Sequence, residues 1–334
     1  MNKIKNLNNS LAYQDLRPDE IFDAIESLGF RSNGRLLALN SYENRVYQIG
    51  VSDSENIIIK FYRPGRWSDN AILEEHKFSL ELALEEMPIV PPIKIHGQTL
   101  HKKNNFRFAV FKQKSGRAPE LDDMKLLKQI GRLVARIHMH GEIYDFSDRP
   151  TLSIKNFGNE SKKFLLEEGF IPSDLEPAYR SVCDALLNNI QNCYGYVGDL
   201  QYLRIHGDFH PSNVLVTSDQ IHIVDLDDTR MGPAIQDIWM FLSGQRDEQT
   251  GQLNELLDGY TQFRSFNPIE LHLVEALRSL RIMHYAAWLA RRWEDPAFKY
   301  AFPWFNTTKY WDEHVLSLRE QIALTQEPPL NWLV

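Results

Sequence analysis

The spacing of apolar residues changes near residue 112, and that change constrains the fold more than any other feature of the chain. Before it, runs rich in β-formers dominate, Asn44 to Gly50 and Asn56 to Tyr62 around the turn-like VSDSE, then Ile93 to Gly97 and Phe106 to Phe111 around the polar HKKNN. One helical pattern opens the segment and a second is inserted among the strands. Pro18 to Leu28 places Ile21, Phe22, Ile25 and Leu28 on one face, and Asp69 to Leu84 follows a Ser68 or Asp69 cap and stops before Pro88, Pro91 and Pro92. After KQKSGRAPE the periodicity is helical, beginning with a long helix from about Asp122 to His140. This predicts an α+β, two-lobed chain. Residues 1–111 form a small, mainly antiparallel β lobe with one inserted helix, 112–116 a hinge, and 117–334 a larger, mainly α lobe. A length of 334 residues exceeds the usual size of one core and agrees with two lobes.

One β signal survives in the helical part. Two short apolar runs, VLV and IHIV, flank the turn TSDQ and predict a hairpin within Arg204 to Asp225. The surrounding string, IHGDFHPSNVLVTSDQIHIVDLDD, places Asp208 five residues before Asn213 and Asp225 twelve residues after it. That spacing resembles the catalytic loop and metal-binding segment of kinases, in which an Asp accepts the substrate hydroxyl proton, an Asn ligates Mg²⁺, and a second Asp holds metal against the ATP phosphates. Phosphoryl transfer concentrates negative charge and needs cations held by hard oxygen ligands, which Asn213 and Asp225 can supply. Each residue also has a bland reading as a turn or cap residue. A rival assigns His206, Asp208 and His210 to a hydrolase-like metal site.

Upstream, Lys60 ends the run IIIK on a predicted strand, as the ATP-phosphate lysine of kinases does. Its partner on the next helix is Glu74 or Glu75 of ILEEHKF, with Glu75 preferred. A Gly-rich loop is missing before Lys60, so Ser41 to Arg45 of LNSYENRVYQIG must cover the phosphates. HGD stands where protein kinases have HRD, and VDLDD where they have DFG, which removes the Arg that reads activation-loop phosphorylation.

These departures resemble those of the aminoglycoside phosphotransferase and choline kinase superfamily, and within it the bacterial stress response kinase A group. The resemblance rests on LNSYENRVYQ, IIKFYRP, ILEEHKF, LRIHGDFHPSNVL, VDLDDTRMGPAIQDIWMFLSG and AWLARRWEDPAFKYAFPW, spread over residues 39 to 304. It implies a Ser/Thr protein kinase using ATP and Mg²⁺ in the bacterial cytoplasm, in the response to oxidative or envelope stress. By position it implies Asp208 as catalytic base, Asn213 and Asp225 as metal ligands, Lys60 as the nucleotide lysine, and ATP between the lobes with its adenine near Phe111 to Gln113. Asp237 resembles a residue that anchors the catalytic loop, although a helix cap would explain it equally.

Composition closes other routes. The balance of 37 basic and 45 acidic residues gives −8, with no basic run suited to nucleic acid. Cys183 and Cys193 fit neither a disulfide scaffold nor a zinc ribbon, and no segment is apolar enough for a signal peptide or membrane helix. A cytoplasmic monomer is expected, with a protein substrate. Near Pro268 begins a helix on which Arg278, Arg281, Tyr285, Trp288 and Arg292 share one face. That stripe suits an anionic or peptide-like acceptor, unless its arginines pair with Glu275, Glu294 or Asp295. A small-molecule kinase and a nucleotide-binding scaffold without catalysis are the alternatives.

Overall fold

The computed structural model describes residues 12–52 and 54–332. Helix α1 (Pro18–Glu26) is followed by strands β1 (Ser32–Ala38), β2 (Arg45–Val51) and β3 (Ile57–Tyr62), helix α2 (Asp69–Leu84), and strands β4 (His101–Lys103) and β5 (Phe106–Lys112). The strands form one antiparallel sheet in the order β1-β2-β3-β5-β4. Period-two alternation gives the sheet two different faces. Ile57, Ile59 and Phe61 join Ile49, Phe106, Phe108 and Val110 in a core closed by Ile21, Ala24 and Ile25 of α1. Lys60 and Tyr62 therefore point the other way, where Tyr62 packs with Ile72 of α2 and Ala109. Ser68 caps α2 by accepting a hydrogen bond from the Ala71 N–H at 3.1 Å.

Two sequence expectations are corrected in this sheet. Ile93 to Gly97 is not a strand: Ile95 and Gln98 exchange backbone hydrogen bonds of 2.8 and 3.0 Å across His96 (φ 49°) and Gly97 (φ 81°). Positive φ at both positions makes a tight hairpin turn and ends any extended run. Ile93 keeps one bond to β5, its N–H donating to Val110 O at 2.7 Å, while the regular ladder on that side is made by His101–Lys103, where a loop is expected, because the turn returns the chain there. Strand β1 has no counterpart in the sequence expectations, because Ser32, Asn33, Gly34 and Arg35 precede consecutive Leu36 and Leu37 without period-two alternation.

Beyond the sheet come α3 (Met124–Gly141), a π-helical turn (Lys155–Asn159), α4 (Glu160–Glu167), α5 (Glu176–Val197), β6 (Leu203–Ile205), β7 (Val214–Val216), β8 (Ile221–Ile223), β9 (Arg230–Gly232) and α6 (Gln236–Trp239). Helices α7 (Arg246–Tyr260), α8 (Val274–Arg291), α9 (Pro296–Ala301) and α10 (Thr308–Leu324) complete the chain. The predicted hairpin is β7–β8, with Val214 opposite Ile223. No helix among the described residues is long and apolar enough to cross a membrane.

The chain divides into two compact units, and the division is not a single cut in the sequence. Residues 12–119 gather with 146–149 and 211–229; residues 120–145, 150–210 and 230–332 form the second unit. The hairpin joins the sheet's unit through main-chain bonds: Ile223 N–H donates to Pro88 O at 2.8 Å, Val90 N–H to Ile223 O at 3.0 Å, and Arg117 and Val216 bond reciprocally. In the second unit α3 packs on α7 at glycines. A Cβ on Gly131 would lie 2.0 Å from Leu256 O, and one on Gly259 2.0 Å from Lys128 O.

Candidate active site

In the sheet's unit, Lys60 collects three carboxylates. Its Nζ lies 2.9 Å from Asp225 Oδ1, 3.2 Å from Asp227 Oδ1 and 3.7 Å from Glu75 Oε1. Strand alternation aims Lys60 at α2, and Glu75 faces it because it lies one turn beyond the buried Ile72. Glu74 does something else. Its carboxylate accepts the backbone N–H groups of Ser147, Asp148 and Arg149 at 2.7–2.9 Å, fixing that segment in the same unit.

Arginines that sequence reading missed complete the cluster. Arg66 donates to Asp227 and, at 2.8 Å, to Asp228, while Arg149 donates to Glu75 at 3.0 Å, to the Asp227 carbonyl at 2.6 Å and to the Ala71 carbonyl at 2.7 Å. Arg63 ties in the loop before β2, its backbone N–H reaching Asn44 Oδ1 at 3.1 Å and its Nε the Glu43 carbonyl at 3.0 Å. Burial raises Glu75 to about 7, since Lys60 and Arg149 only partly offset the desolvation and the nearby Asp227. Burial also opposes ionisation of Asp227, but Lys60 and Arg66 outweigh it and hold its carboxyl at about 2. Lys60 is kept charged against its burial mainly by Asp225 and Asp227.

Asp225 follows β8 in the left-handed region (φ 60°, ψ 65°), where a non-glycine residue stores roughly 1 kcal/mol or more of strain. Val224 N–H donates to Asn213 O at 3.0 Å, setting the two predicted metal ligands beside each other at the base of the hairpin. The Asp225 side chain is 51% exposed, the most open of the carboxylates around Lys60. These donors suit a hard divalent cation whose remaining positions are filled by phosphate and water. Among the described residues no group of three or more His, Cys, Asp or Glu could hold a metal, so the His206, Asp208, His210 alternative finds no support.

The remaining predicted residues of this unit sit as follows. Ser41 Oγ donates to the Asn44 carbonyl at 3.2 Å and shapes the loop before β2. Phe111 pairs with Ile58 and packs beside Tyr62, Ile72 and Ala109. Gln113 donates to Ser115 Oγ at 3.1 Å and lines a polar cavity of about 540 Å³ with Lys114, Thr217, Gln220 and His222.

Asp208 belongs to the second unit. Arg281 Nη1 lies 2.5 Å from its Oδ1 and His210 Nε2 3.4 Å from its Oδ2. Burial pushes the Asp208 carboxyl up, yet the His210 hydrogen bond and the Arg281 guanidinium hold it well below the usual carboxylate range. Asp237 fixes the loop that carries it. The Asp237 carboxylate accepts His206 N–H at 2.7 Å, Gly207 N–H at 2.8 Å and His138 Nε2–H at 3.2 Å. It caps no helix, since Ile235 is the N-cap of α6. Burial lowers the His138 pKa and favours the neutral ring; an acceptor-only carboxylate at Nε2 then requires the proton there, leaving Nδ1 to accept from Tyr260 at 2.9 Å.

Known proteins resemble this chain in sequence and in fold. Residues 35–272 match the phosphotransferase enzyme family (APH). The chain is 41% identical over 324 residues, covering 97% of itself and 98% of the relative, to Stress response kinase A of Escherichia coli O157:H7. It is 39% identical over 323 residues, with the same coverage, to the serine/threonine protein kinase RdoA of Salmonella typhimurium LT2. Among solved structures, amicoumacin kinase in complex with AMP-PNP, Ca²⁺ and Ami superposes with a TM-score of 0.71 at 19% identity, over 95% of this chain and 96% of that one. Choline kinase LicA from Streptococcus pneumoniae superposes at 0.61 and 15% identity, over 91% and 98%. These likenesses show that the α+β architecture is the aminoglycoside phosphotransferase and choline kinase type of kinase-like fold. The chain belongs to the phosphotransferase enzyme family, and within it to the group of the Stress response kinase A proteins.

Proposed function

We propose that the chain is an ATP- and Mg²⁺-dependent Ser/Thr protein kinase of bacterial stress response. The observation that carries the reading is the Lys60 cluster, a buried ammonium 2.9 Å from Asp225 and 3.7 Å from the helix residue Glu75. It is supported by the name of the Salmonella relative and by the AMP-PNP and Ca²⁺ of the amicoumacin kinase complex. Lys60 binds the ATP phosphates and Glu75 orients it. Asn213 and Asp225 would hold Mg²⁺, which supplies positive charge against the transferring phosphoryl group.

The acceptor hydroxyl oxygen forms a bond to the γ-phosphorus as the bond from that phosphorus to the β–γ bridging oxygen breaks, releasing ADP. Asp208 takes the hydroxyl proton, and Asp237 holds the loop that aims it. With nucleotide bound, Lys60 would turn from Asp225 to the phosphates, leaving the Asp225 carboxylate available to hold the metal. Asp225→Ala should therefore lose metal-dependent nucleotide binding by calorimetry; binding that remains metal-dependent and of wild-type affinity contradicts the assignment. The second reading is a small-molecule kinase, favoured by the amicoumacin and choline kinase likenesses. Incubation with γ-labelled ATP separates the two, since label on Ser or Thr of a protein supports the first and label only on a free metabolite the second.

A further inference from the structure

The basic stripe on α8 splits into two kinds of arginine. Arg278 is tied down, its Nε 3.1 Å from Glu275, its Nη2 3.3 Å from Gln249 and its guanidinium over the Trp239 ring. Arg281, one turn on, reaches Asp208 at 2.5 Å while its side chain stays 41% exposed. Tyr285 lies one turn further along, 39% exposed and stacked on Trp288 at 5.6 Å. An open guanidinium beside an aromatic surface therefore stands at the residue proposed as the base.

This arrangement opposes a cationic acceptor. A cation brought against the open guanidinium meets like charge, which disfavours it even where solvent screens the pair. It favours an acceptor that carries an anion, because a guanidinium forms its strongest contacts with carboxylate or phosphate in paired, parallel hydrogen bonds. Such an anion also gives Arg281 a second partner, drawing it from the Asp208 oxygen that must meet the hydroxyl proton. A neutral acceptor offers no exchange and leaves the base engaged.

We infer that Arg281 is a specificity-determining residue of the acceptor site, selecting hydroxyl acceptors that carry a carboxylate or phosphate close to the reacting oxygen. The inference rests on the reading of Asp208 as the base of a Ser/Thr kinase. An acidic side chain next to the acceptor Ser or Thr and a phosphorylated residue already present there supply the same chemistry.

The test uses the full chain, γ-labelled ATP and Ser peptides identical except for one flanking residue: Glu, phosphothreonine, Gln or Lys. Wild type should favour the Glu or the phosphothreonine peptide over the Gln peptide by roughly tenfold or more in kcat/KM, with the Lys peptide poorest. Whichever anion gives the larger gain identifies the source. Arg281→Gln should abolish most of that preference, chiefly through a higher KM for the anionic peptides, and Arg281→Lys should restore part of it. A parallel thermal melt verifies that the variants are folded. Equal use of all four peptides by wild type, or a ratio unchanged in Arg281→Gln, overturns the inference while leaving a protein kinase. Wild type that labels none of the peptides overturns the Ser/Thr kinase reading and the inference with it.

Discussion

Asp237→Asn changes one atom of a fully buried side chain and should loosen the loop that carries Asp208. The carboxylate accepts three N–H groups, from His206 at 2.7 Å, Gly207 at 2.8 Å and His138 at 3.2 Å. Asn keeps one acceptor oxygen and turns the other site into a donor. The less costly orientation keeps oxygen toward His206 and His138, and sets the amide NH₂ against the Gly207 N–H. One buried donor is then orphaned, at about 1–3 kcal/mol, and two charge-assisted bonds become neutral, each losing about 1 kcal/mol. The expected loss is about 3–5 kcal/mol, below the upper part of the 5–15 kcal/mol of a typical domain, and a thermal melt checks that the variant folds. Amide hydrogen exchange at His206 and Gly207 should accelerate by about two orders of magnitude, with kcat falling more than ATP affinity. Exchange within threefold of wild type and unchanged kcat would refute the anchoring role.

Three further outcomes follow from other parts of the chain. Glu75 rises from 4.5 to about 7, so its contribution to stability is complete below pH 4.5 and disappears as pH climbs through 7; Glu75→Gln should remove a slope of about 3 kcal/mol in urea titrations across that window. Asp227 is lowered from 3.8 to about 2, the opposite sign, so its contribution holds above pH 4 and fades toward pH 2; Asp227→Asn should flatten acid unfolding there by about 2 kcal/mol. Gly131→Ala gains about 1 kcal/mol of helix propensity, yet its Cβ would meet Leu256 O at 2.0 Å, main chain that cannot swing aside; a net loss of about 1–3 kcal/mol in thermal melts is expected, and a gain would contradict the close packing of α3 on α7.

Much of the site was legible because its residues sit at fixed offsets within short strings. Lys60 follows strand alternation, and Asn213 and Asp225 flank a hairpin whose apolar runs announce it. The sequence favours Glu75 over Glu74 only weakly because two adjacent acids share one helix; packing turns Glu75 to Lys60 and Glu74 to the amides of 147–149. Arg66 and Arg149 had no signal at all, since each meets its carboxylates across long stretches of chain and one surface arginine reads like another. The same limit hid the partition of the α8 arginines. Glu275 for Arg278 is a neighbour in sequence, whereas Asp208 for Arg281 is 73 residues away. The expected strand from Ile93 to Gly97 is broken because two positive-φ residues, His96 and Gly97, turn the chain where apolar spacing alone suggests it runs on.

The most direct test of the account compares wild type with Asp208→Asn for transfer of label from γ-labelled ATP with Mg²⁺ to protein Ser or Thr, with ATP affinity measured alongside. The account predicts transfer by wild type, a fall of about 10²–10⁴-fold in the variant, and ATP affinity little changed. Transfer by Asp208→Asn at a rate close to wild type would contradict it.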